Sequence, residues 1–160
     1  MRQFFVASLL GVLSVLAGCG SLAPSTPGAP GSTRQVLAAE HERLSELFRG
    51  TPVVFSLLAD GRLQVEVPLS FCFDRGRSAV KPALGAVLRQ LARGQRELPT
   101  RLLVVGPSDA KAKGLRLATE RATSMRDYLV GYGVAATRFS VTAMARDQGV
   151  RIVVTDADAS

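Results

Sequence analysis

The sequence has little of the chemistry from which most enzyme active sites are built. It contains one histidine, two cysteines and no tryptophan, and aromatic residues make up 6% of its 160 residues. A single histidine excludes any mechanism that needs two imidazoles. Two cysteines cannot supply a disulfide framework or a cysteine-rich zinc site. The length allows one modest domain with a real core and excludes a large multidomain enzyme.

Acidic residues are also scarce, with 13 Asp and Glu against 20 Lys and Arg, which gives a net charge of +7. This balance suggests an anionic partner, but charge alone does not choose among nucleic acid, membrane and cell-wall polymer. Hydrophobic residues make up 47% of the chain. That fraction is too high for a wholly disordered protein.

The N-terminal region lacks charge between Arg2 and Arg34. Within it the apolar run Phe4–Ala17 predicts a secretory signal peptide over residues 1–18. The run ends in the sequence Leu-Ala-Gly-Cys, which resembles a bacterial lipobox, so Cys19 is the predicted site of lipidation with palmitate. The alternative is an uncleaved membrane anchor, but about 14 apolar residues fall short of the roughly 20 that span a bilayer.

Residues 19–33 are predicted to be the lipidated cysteine and a linker, because they are rich in Pro, Gly, Ser and Thr. Residue 20 is Gly and not the Asp that retains many lipoproteins in the inner membrane. We therefore expect a lipid anchor in the bacterial outer membrane, on its periplasmic face. Export also argues against nucleic acid as the partner.

Residues 34–61 are predicted to be a helix and strand extension. Ser32 and Gln35 have capping-box spacing, and Asp60-Gly61 is a hairpin turn signal. Apolar residues then alternate with polar ones from Leu63 to Phe73, which predicts one long strand. Pro68 within it indicates an edge position or a bulge.

The rest of the chain alternates between helix and strand patterns. Helices are predicted from Pro82 and over 115–132, and strands over 101–105, 138–143 and 150–154. The resulting β-α-β-α-β-β order predicts an α+β sandwich with two helices on a mixed sheet. Residues 156–160 are predicted to be an acidic tail.

Residues 62–155 resemble the C-terminal domain of the OmpA family, a peptidoglycan-associating module. The resemblance rests on Phe71-Cys-Phe-Asp74, on Val104-Val-Gly-Pro-Ser-Asp109, and on Leu117-Ala-Thr-Glu-Arg-Ala122 with Met125, Leu129 and Gly133. These are similar to the F-x-F strand of the family, to its strand ending in Gly-His-Thr-Asp, and to its Leu-Ser-x-x-Arg-Ala helix. With the lipobox, the whole chain resembles a peptidoglycan-associated lipoprotein.

The resemblance implies a binding site for the diaminopimelate of the peptidoglycan stem peptide, with Asp109, Arg121 and Ser108 as its residues. A carboxylate would pair with the ammonium of the ligand, and a guanidinium would offer a fork to its carboxylate. The same residue types also form ordinary structural ion pairs, and this alternative stays open.

The chain also departs from the family pattern. Pro107-Ser108 replaces His-Thr, and the loop that follows is about three residues shorter than usual. The loop between Ala143 and Gly149 is also short. A second hypothesis is therefore an OmpA-like assembly lipoprotein that docks on an envelope or secretion machine and has weakened or lost peptidoglycan binding.

No enzymatic activity, cofactor or metal is predicted. Ser108 lies in Gly-x-Ser-x-Ala and Ser-x-x-Lys matches, but the lone histidine, His41, is far upstream in its own predicted helix. We interpret His41 as a half-buried helix residue and Cys72 as a free structural cysteine. Three arginines on the helix from Pro82 are interpreted as a solvated face, with binding to an anionic lipid or polymer as the alternative; they are Arg89, Arg93 and Arg96.

Overall fold

The computed structural model describes residues 30–109, 114–144 and 149–158, and for residues 30–32 it describes the backbone alone. The predicted signal peptide 1–18, the lipobox with Cys19 and most of the predicted linker lie outside the described residues. None of the helices in the described ranges has the length and apolar character needed to cross a membrane.

The described residues form four helices, one short 3₁₀ turn and five strands. In chain order they are α1 (Pro30–Leu47), β1 (Val54–Leu57), β2 (Leu63–Val67), α2 (Leu69–Cys72), α3 (Pro82–Gln95), β3 (Thr100–Pro107), α4 (Gly114–Gly131), the 3₁₀ turn (Ala136–Arg138), β4 (Phe139–Met144) and β5 (Val150–Asp156).

The strands form one mixed sheet in the order β1-β2-β5-β3-β4. β3 and β4 pair in parallel, and α4 connects them. The other three pairs are antiparallel. The order β2-α3-β3-α4-β4-β5 confirms the predicted β-α-β-α-β-β sandwich of α+β class.

One face of the sheet packs against the helices and forms the core. Strands β2, β3 and β5 contribute alternate apolar residues to this face, and α3 and α4 cover it. Pro82 occupies the first turn of α3, where its missing N–H has no helical partner in any case. The inward residues of α3 are those that its spacing predicted: Leu84, Val87, Leu88 and Leu91.

The predicted extension joins the same sheet and the same core. β1 and β2 form an antiparallel hairpin, and Leu37 and Leu44 of α1 are buried in the shared cluster. Helix α1 begins at Pro30, so the last four residues of the predicted linker are helical and Ser32 is not its N-cap. Proline suits this position because the first helical residues have no intrahelical acceptor for their N–H groups.

The predicted strand from Leu63 to Phe73 is wrong beyond Val67, where β2 ends. Pro68 lacks an N–H to donate to a ladder, and it becomes the N-cap of α2, a single helical turn. This turn breaks the alternation. Cys72 and Phe73 are both buried, whereas Phe71 is 43% exposed.

Cys72 is a free and fully buried cysteine, as the sequence indicated. Its Sγ lies 3.2 Å from the carbonyl oxygen of Pro68 and 3.4 Å from that of Val67. Burial raises the pKa of the Cys72 thiol to about 12, against smaller lowering effects from a backbone hydrogen bond and nearby cations. The thiolate is therefore strongly disfavoured at neutral pH, and Cys72 has the character of a small core residue.

Helix α4 approaches the end of β3 so closely that the strand needs a glycine. A Cβ built on Gly106 would overlap the carbonyl oxygen of Ala118 and would lie 2.8 Å from the nitrogen and 2.9 Å from the Cβ of Ala122. Two of these three atoms belong to the helix backbone, which cannot move aside as a flexible side chain can. Gly106 thereby sets the distance between β3 and α4.

We predict that Gly106→Ala lowers the free energy of unfolding by about 1–3 kcal/mol, because overpacking forces the helix away from the strand. The matched control is Gly131→Ala at the end of the same helix, where no atom lies within 4 Å of the new Cβ. Equilibrium urea denaturation measures both. Equal destabilisation by the two substitutions would show that the close approach is unimportant.

Candidate functional site

An ion pair between Asp109 and Arg121 lies beyond the C-terminal end of β3. Arg121 is in α4, and Asp109 is the second residue after β3. Nη1 of Arg121 is 2.8 Å from Oδ1 of Asp109. The Arg121 side chain is fully buried, whereas Asp109 is 20% exposed. The structure therefore brings together the two residues that the resemblance paired, and it is the carboxylate that reaches the surface.

The guanidinium of Arg121 also donates hydrogen bonds to three backbone carbonyl groups. Nε donates to the carbonyl oxygen of Arg77 at 2.9 Å. Nη1 donates to that of Pro107 at 3.1 Å and Nη2 to that of Asp74 at 3.1 Å. All three nitrogen atoms of the guanidinium therefore have an acceptor, and Nη1 contacts both Pro107 and Asp109. The predicted fork toward a ligand carboxylate needs two accessible N–H groups, and this arrangement does not offer them.

The ring of Phe73 completes the environment of the buried cation. The guanidinium carbon of Arg121 lies over this ring, 5.0 Å from its centroid. A cation over an aromatic face is attracted by the ring quadrupole, and the attraction grows when water is excluded. Phe73 is therefore a partner of the site as well as a core residue.

A tight turn over Asp74–Arg77 covers the ion pair. The N–H of Arg77 donates to the carbonyl oxygen of Asp74 at 3.0 Å, and Gly76 has a φ of +70°. A positive φ at the third residue of a turn favours glycine, which has no Cβ to clash. All four turn residues are exposed. Arg121 fixes both ends of the turn through their carbonyl groups, and the side chains of the turn face solvent.

Asp109 binds the turn from the other side. Its Oδ2 accepts the N–H of Gly76 at 2.6 Å. Partial burial raises the pKa of Asp109, but the Gly76 hydrogen bond and the charges of Arg121 and Arg75 outweigh burial, so the pKa lies below its ordinary value. The carboxylate is thus charged at neutral pH. Its stabilising effect is complete above the unfolded pKa of about 3.9 and is lost as pH falls through the lower folded value.

Ser108, the third predicted site residue, is buried with 1% of its surface exposed. Its N–H donates to the carbonyl oxygen of Met144 at 3.1 Å, which extends the β3–β4 pairing by one residue. This placement differs from the predicted contact with peptidoglycan, because a polymer cannot reach a covered hydroxyl. The Ser-x-x-Lys and Gly-x-Ser-x-Ala matches extend into residues 110–113, which lie outside the described residues.

Sequence reasoning missed the contribution of residues 73–77. It placed Phe73 in a strand, whereas in the structure Phe73 is the C-cap of α2 and leads into the turn over Asp74–Arg77, whose carbonyl groups bind Arg121. The Asp-Arg-Gly sequence at 74–76 is a turn signal that could have located this change of direction. No sequence signal identifies the carbonyl acceptors, because every residue has one.

The three arginines of α3 do not form a uniform solvated face. Arg93 and Arg96 are exposed, as that interpretation requires, and Arg89 is half-buried. Nη1 of Arg89 donates to the hydroxyl of Tyr128 at 3.1 Å, and Nε of Arg96 donates to the carbonyl oxygen of Tyr132 at 2.8 Å. Arg89 therefore connects α3 to α4, and Arg96 connects the residues that follow these two helices.

His41 is half-buried in α1, as predicted, and its Nε2 lies 3.2 Å from the carbonyl oxygen of Phe55 in β1.

Within the described ranges, no group of three or more His, Cys, Asp or Glu side chains is placed to hold a metal ion. The absence of catalytic activity stays a prediction.

Comparison with known proteins identifies the fold. No protein-family model and no curated protein matches the sequence. A protein described as MotB-like, from Desulfovibrio vulgaris, superposes with a TM-score of 0.65 at 18% identity, over 79% of this chain and 93% of that one. The cell wall anchor of the T6SS from Pseudomonas aeruginosa gives 0.56 at 17%, over 83% and 100%. The OmpA-like domain of FopA1 from Francisella tularensis gives 0.50 at 12%, over 65% and 80%.

At these identities the likeness is one of fold. The chain has the OmpA-like fold that the motifs in its second half predicted. The matches over 79% and 83% of the chain cover more than residues 62–155 can supply. They therefore extend beyond the segment that carries the sequence resemblance.

We predict that Arg121→Ala lowers the free energy of unfolding by about 3–5 kcal/mol, because it leaves a carboxylate and several carbonyl groups without their buried donor. The matched control is Arg126→Ala on the same helix, whose exposed ion pair with Asp127 contributes at most about 1 kcal/mol. Urea denaturation measures both variants. If Arg121→Ala changes stability as little as Arg126→Ala does, the buried contacts of Arg121 do not stabilise the fold.

Proposed function

We propose that this protein is an outer-membrane lipoprotein that binds peptidoglycan non-covalently through the diaminopimelate of the stem peptide, and so tethers the layers of the envelope. The observation that carries the proposal is the accessible carboxylate of Asp109, fixed by the buried Arg121 at the end of β3. The OmpA-like fold supports the proposal, because the resemblance assigns this position to the ligand ammonium.

The chemistry of the site suits an ammonium group. Asp109 is charged at neutral pH, and Arg121 and the Gly76 N–H hold its two oxygen atoms in place. A carboxylate that is already fixed loses little side-chain entropy when a cation binds. Its partial burial also strengthens the interaction relative to one in open water.

The lipid anchor is supported by the sequence alone, through the apolar run and the lipobox that ends at Cys19. The Pro-rich segment that follows would hold the domain away from the membrane surface, within reach of a polymer in the periplasm. Together, the anchor and the site would connect the outer membrane to the cell wall.

A second candidate is an assembly lipoprotein of an envelope or secretion machine. One observation favours it: Ser108 and Arg121 are buried, which removes two predicted contacts. In this case the helix α1 and the strand β1 would contribute to docking on a protein partner of the envelope.

Sedimentation of the detergent-solubilised protein with purified sacculi tests the first candidate against the second. We expect the wild type to bind at physiological salt and Asp109→Asn to bind more than about tenfold more weakly, because a charge-assisted contact is lost. Asp127→Asn, which removes an exposed carboxylate from α4, is the matched control and should bind like the wild type.

The second candidate expects no appreciable sacculus binding by the wild type and no effect of either substitution. Measurement at two salt concentrations separates the specific contact from general attraction between exposed charges, since added salt screens the latter. If Asp127→Asn weakens binding as much as Asp109→Asn does, the site is not at Asp109.

The lipid anchor has its own test. Because the chain has two cysteines and Cys72 is buried, we expect Cys19→Ser to abolish palmitate incorporation and to leave the precursor uncleaved. Cys72→Ala is the control and should be labelled and processed like the wild type. Normal labelling of Cys19→Ser would disprove the anchor and leave the fold assignment intact.

A further inference from the structure

The ligand proposed above carries two charged groups attached to the same carbon atom, an ammonium and a carboxylate. A site for such a group needs a cation beside Asp109, close enough to engage both charges together. The resemblance assigns that task to Arg121. In the structure, however, Arg121 is fully buried and each of its three guanidinium nitrogen atoms already has an acceptor. A second carboxylate would have to displace the acceptors that Arg121 already has.

The turn over Asp74–Arg77 presents a different cation at the same place. The nitrogen of Gly76 lies 2.6 Å from Oδ2 of Asp109, so the residue immediately before Gly76 belongs to the segment that contacts the carboxylate. That residue is Arg75, and its side chain is exposed. The turn is held through its backbone by Arg121 and Asp109, which fixes the Cα of Arg75 relative to the site.

We propose that Arg75 binds the carboxylate of the ligand whose ammonium pairs with Asp109, while Arg121 holds the turn and the carboxylate in place. This inference rests on the proposed function, since it names a further binding residue of the same site. A guanidinium at the end of a flexible stem offers the planar fork that suits a carboxylate. Independently of the turn geometry, the charge of Arg75 helps to lower the pKa of Asp109, which agrees with their proximity.

Two arginines of opposite exposure have different tasks at this site. A buried arginine with its donors satisfied gives rigidity, because its partners fix its orientation. An exposed arginine on a rigid turn has its donors available for a ligand. Arg75 should therefore strengthen binding only of ligands that carry this carboxylate, and a comparison of ligands with and without it can be measured.

The experiment compares two soluble muropeptides, one with diaminopimelate and one with lysine in its place, which lacks the terminal carboxylate. Binding to the detergent-solubilised protein is measured by calorimetry. We expect the wild type to bind the diaminopimelate ligand about tenfold more tightly than the lysine ligand, since one charge-assisted contact distinguishes them. Arg75→Gln should bind the two ligands equally, at the affinity of the wild type for the lysine ligand.

The matched control is Arg77→Gln, which removes the same charge from the same turn and retains the backbone carbonyl that accepts from Arg121. This variant should keep the preference for diaminopimelate. Its affinity for each ligand should fall by less than about twofold, and added salt should reduce this difference. Circular dichroism confirms that both variants fold.

Three outcomes overturn the inference. Arg75→Gln could retain the preference for diaminopimelate, it could weaken both ligands alike, or Arg77→Gln could abolish the preference equally well. If Asp109→Asn loses binding while Arg75→Gln does not, the proposed function stands and the role of Arg75 is wrong. If the wild type binds neither muropeptides nor sacculi, the proposed function itself fails.

Discussion

The buried charge of Arg121 is the constraint on which this end of the domain depends. Removing a guanidinium from water costs several kcal/mol, and the cost is offset only when nearly every N–H group finds an acceptor. The acceptors come from separate parts of the chain: the end of β3, Asp109 beyond it, and both ends of the turn at 74–77. The ring of Phe73 covers one face of the cation. One side chain of α4 thereby holds a strand end and a turn in a fixed relation to each other.

This arrangement depends in turn on the close approach of α4 to β3. Gly106 lies against Ala118 and Ala122, and Arg121 stands between these two alanines in sequence. A larger residue at position 106 would move the helix outward, and the hydrogen bond from the guanidinium to the carbonyl oxygen of Pro107 would then be lost. The position of Arg121 therefore depends on Gly106, although the two residues belong to different motifs.

The sequence predicted the elements whose patterns are local. The helices α3 and α4 and the strands β3, β4 and β5 each carry their own periodicity, and all five are confirmed. The prediction was wrong between Pro68 and Phe73, because apolar alternation there fits a strand as well as a helical turn that buries adjacent residues. The pairing of Asp109 with Arg121 followed from the resemblance and is present. The burial of Arg121 could not be predicted, since its acceptors are carbonyl groups up to 47 residues away, and a residue pattern contains no record of carbonyl positions.

The same constraint separates the affinity of the site from the basic charge of the chain. Asp109 and Arg121 neutralise each other inside the fold, so their pair adds little to the long-range field. Several basic side chains of the described residues, such as Arg75 and Arg93, are exposed, and salt at physiological concentration screens their charge beyond about 8 Å. Under the function proposed above, general attraction to an anionic polymer and recognition of a zwitterionic group would therefore arise from different residues. A zwitterion has no net charge to be attracted, so its recognition would depend on how accurately the carboxylate and its neighbouring cation are held. The structure provides that accuracy for Asp109 through the buried guanidinium of Arg121.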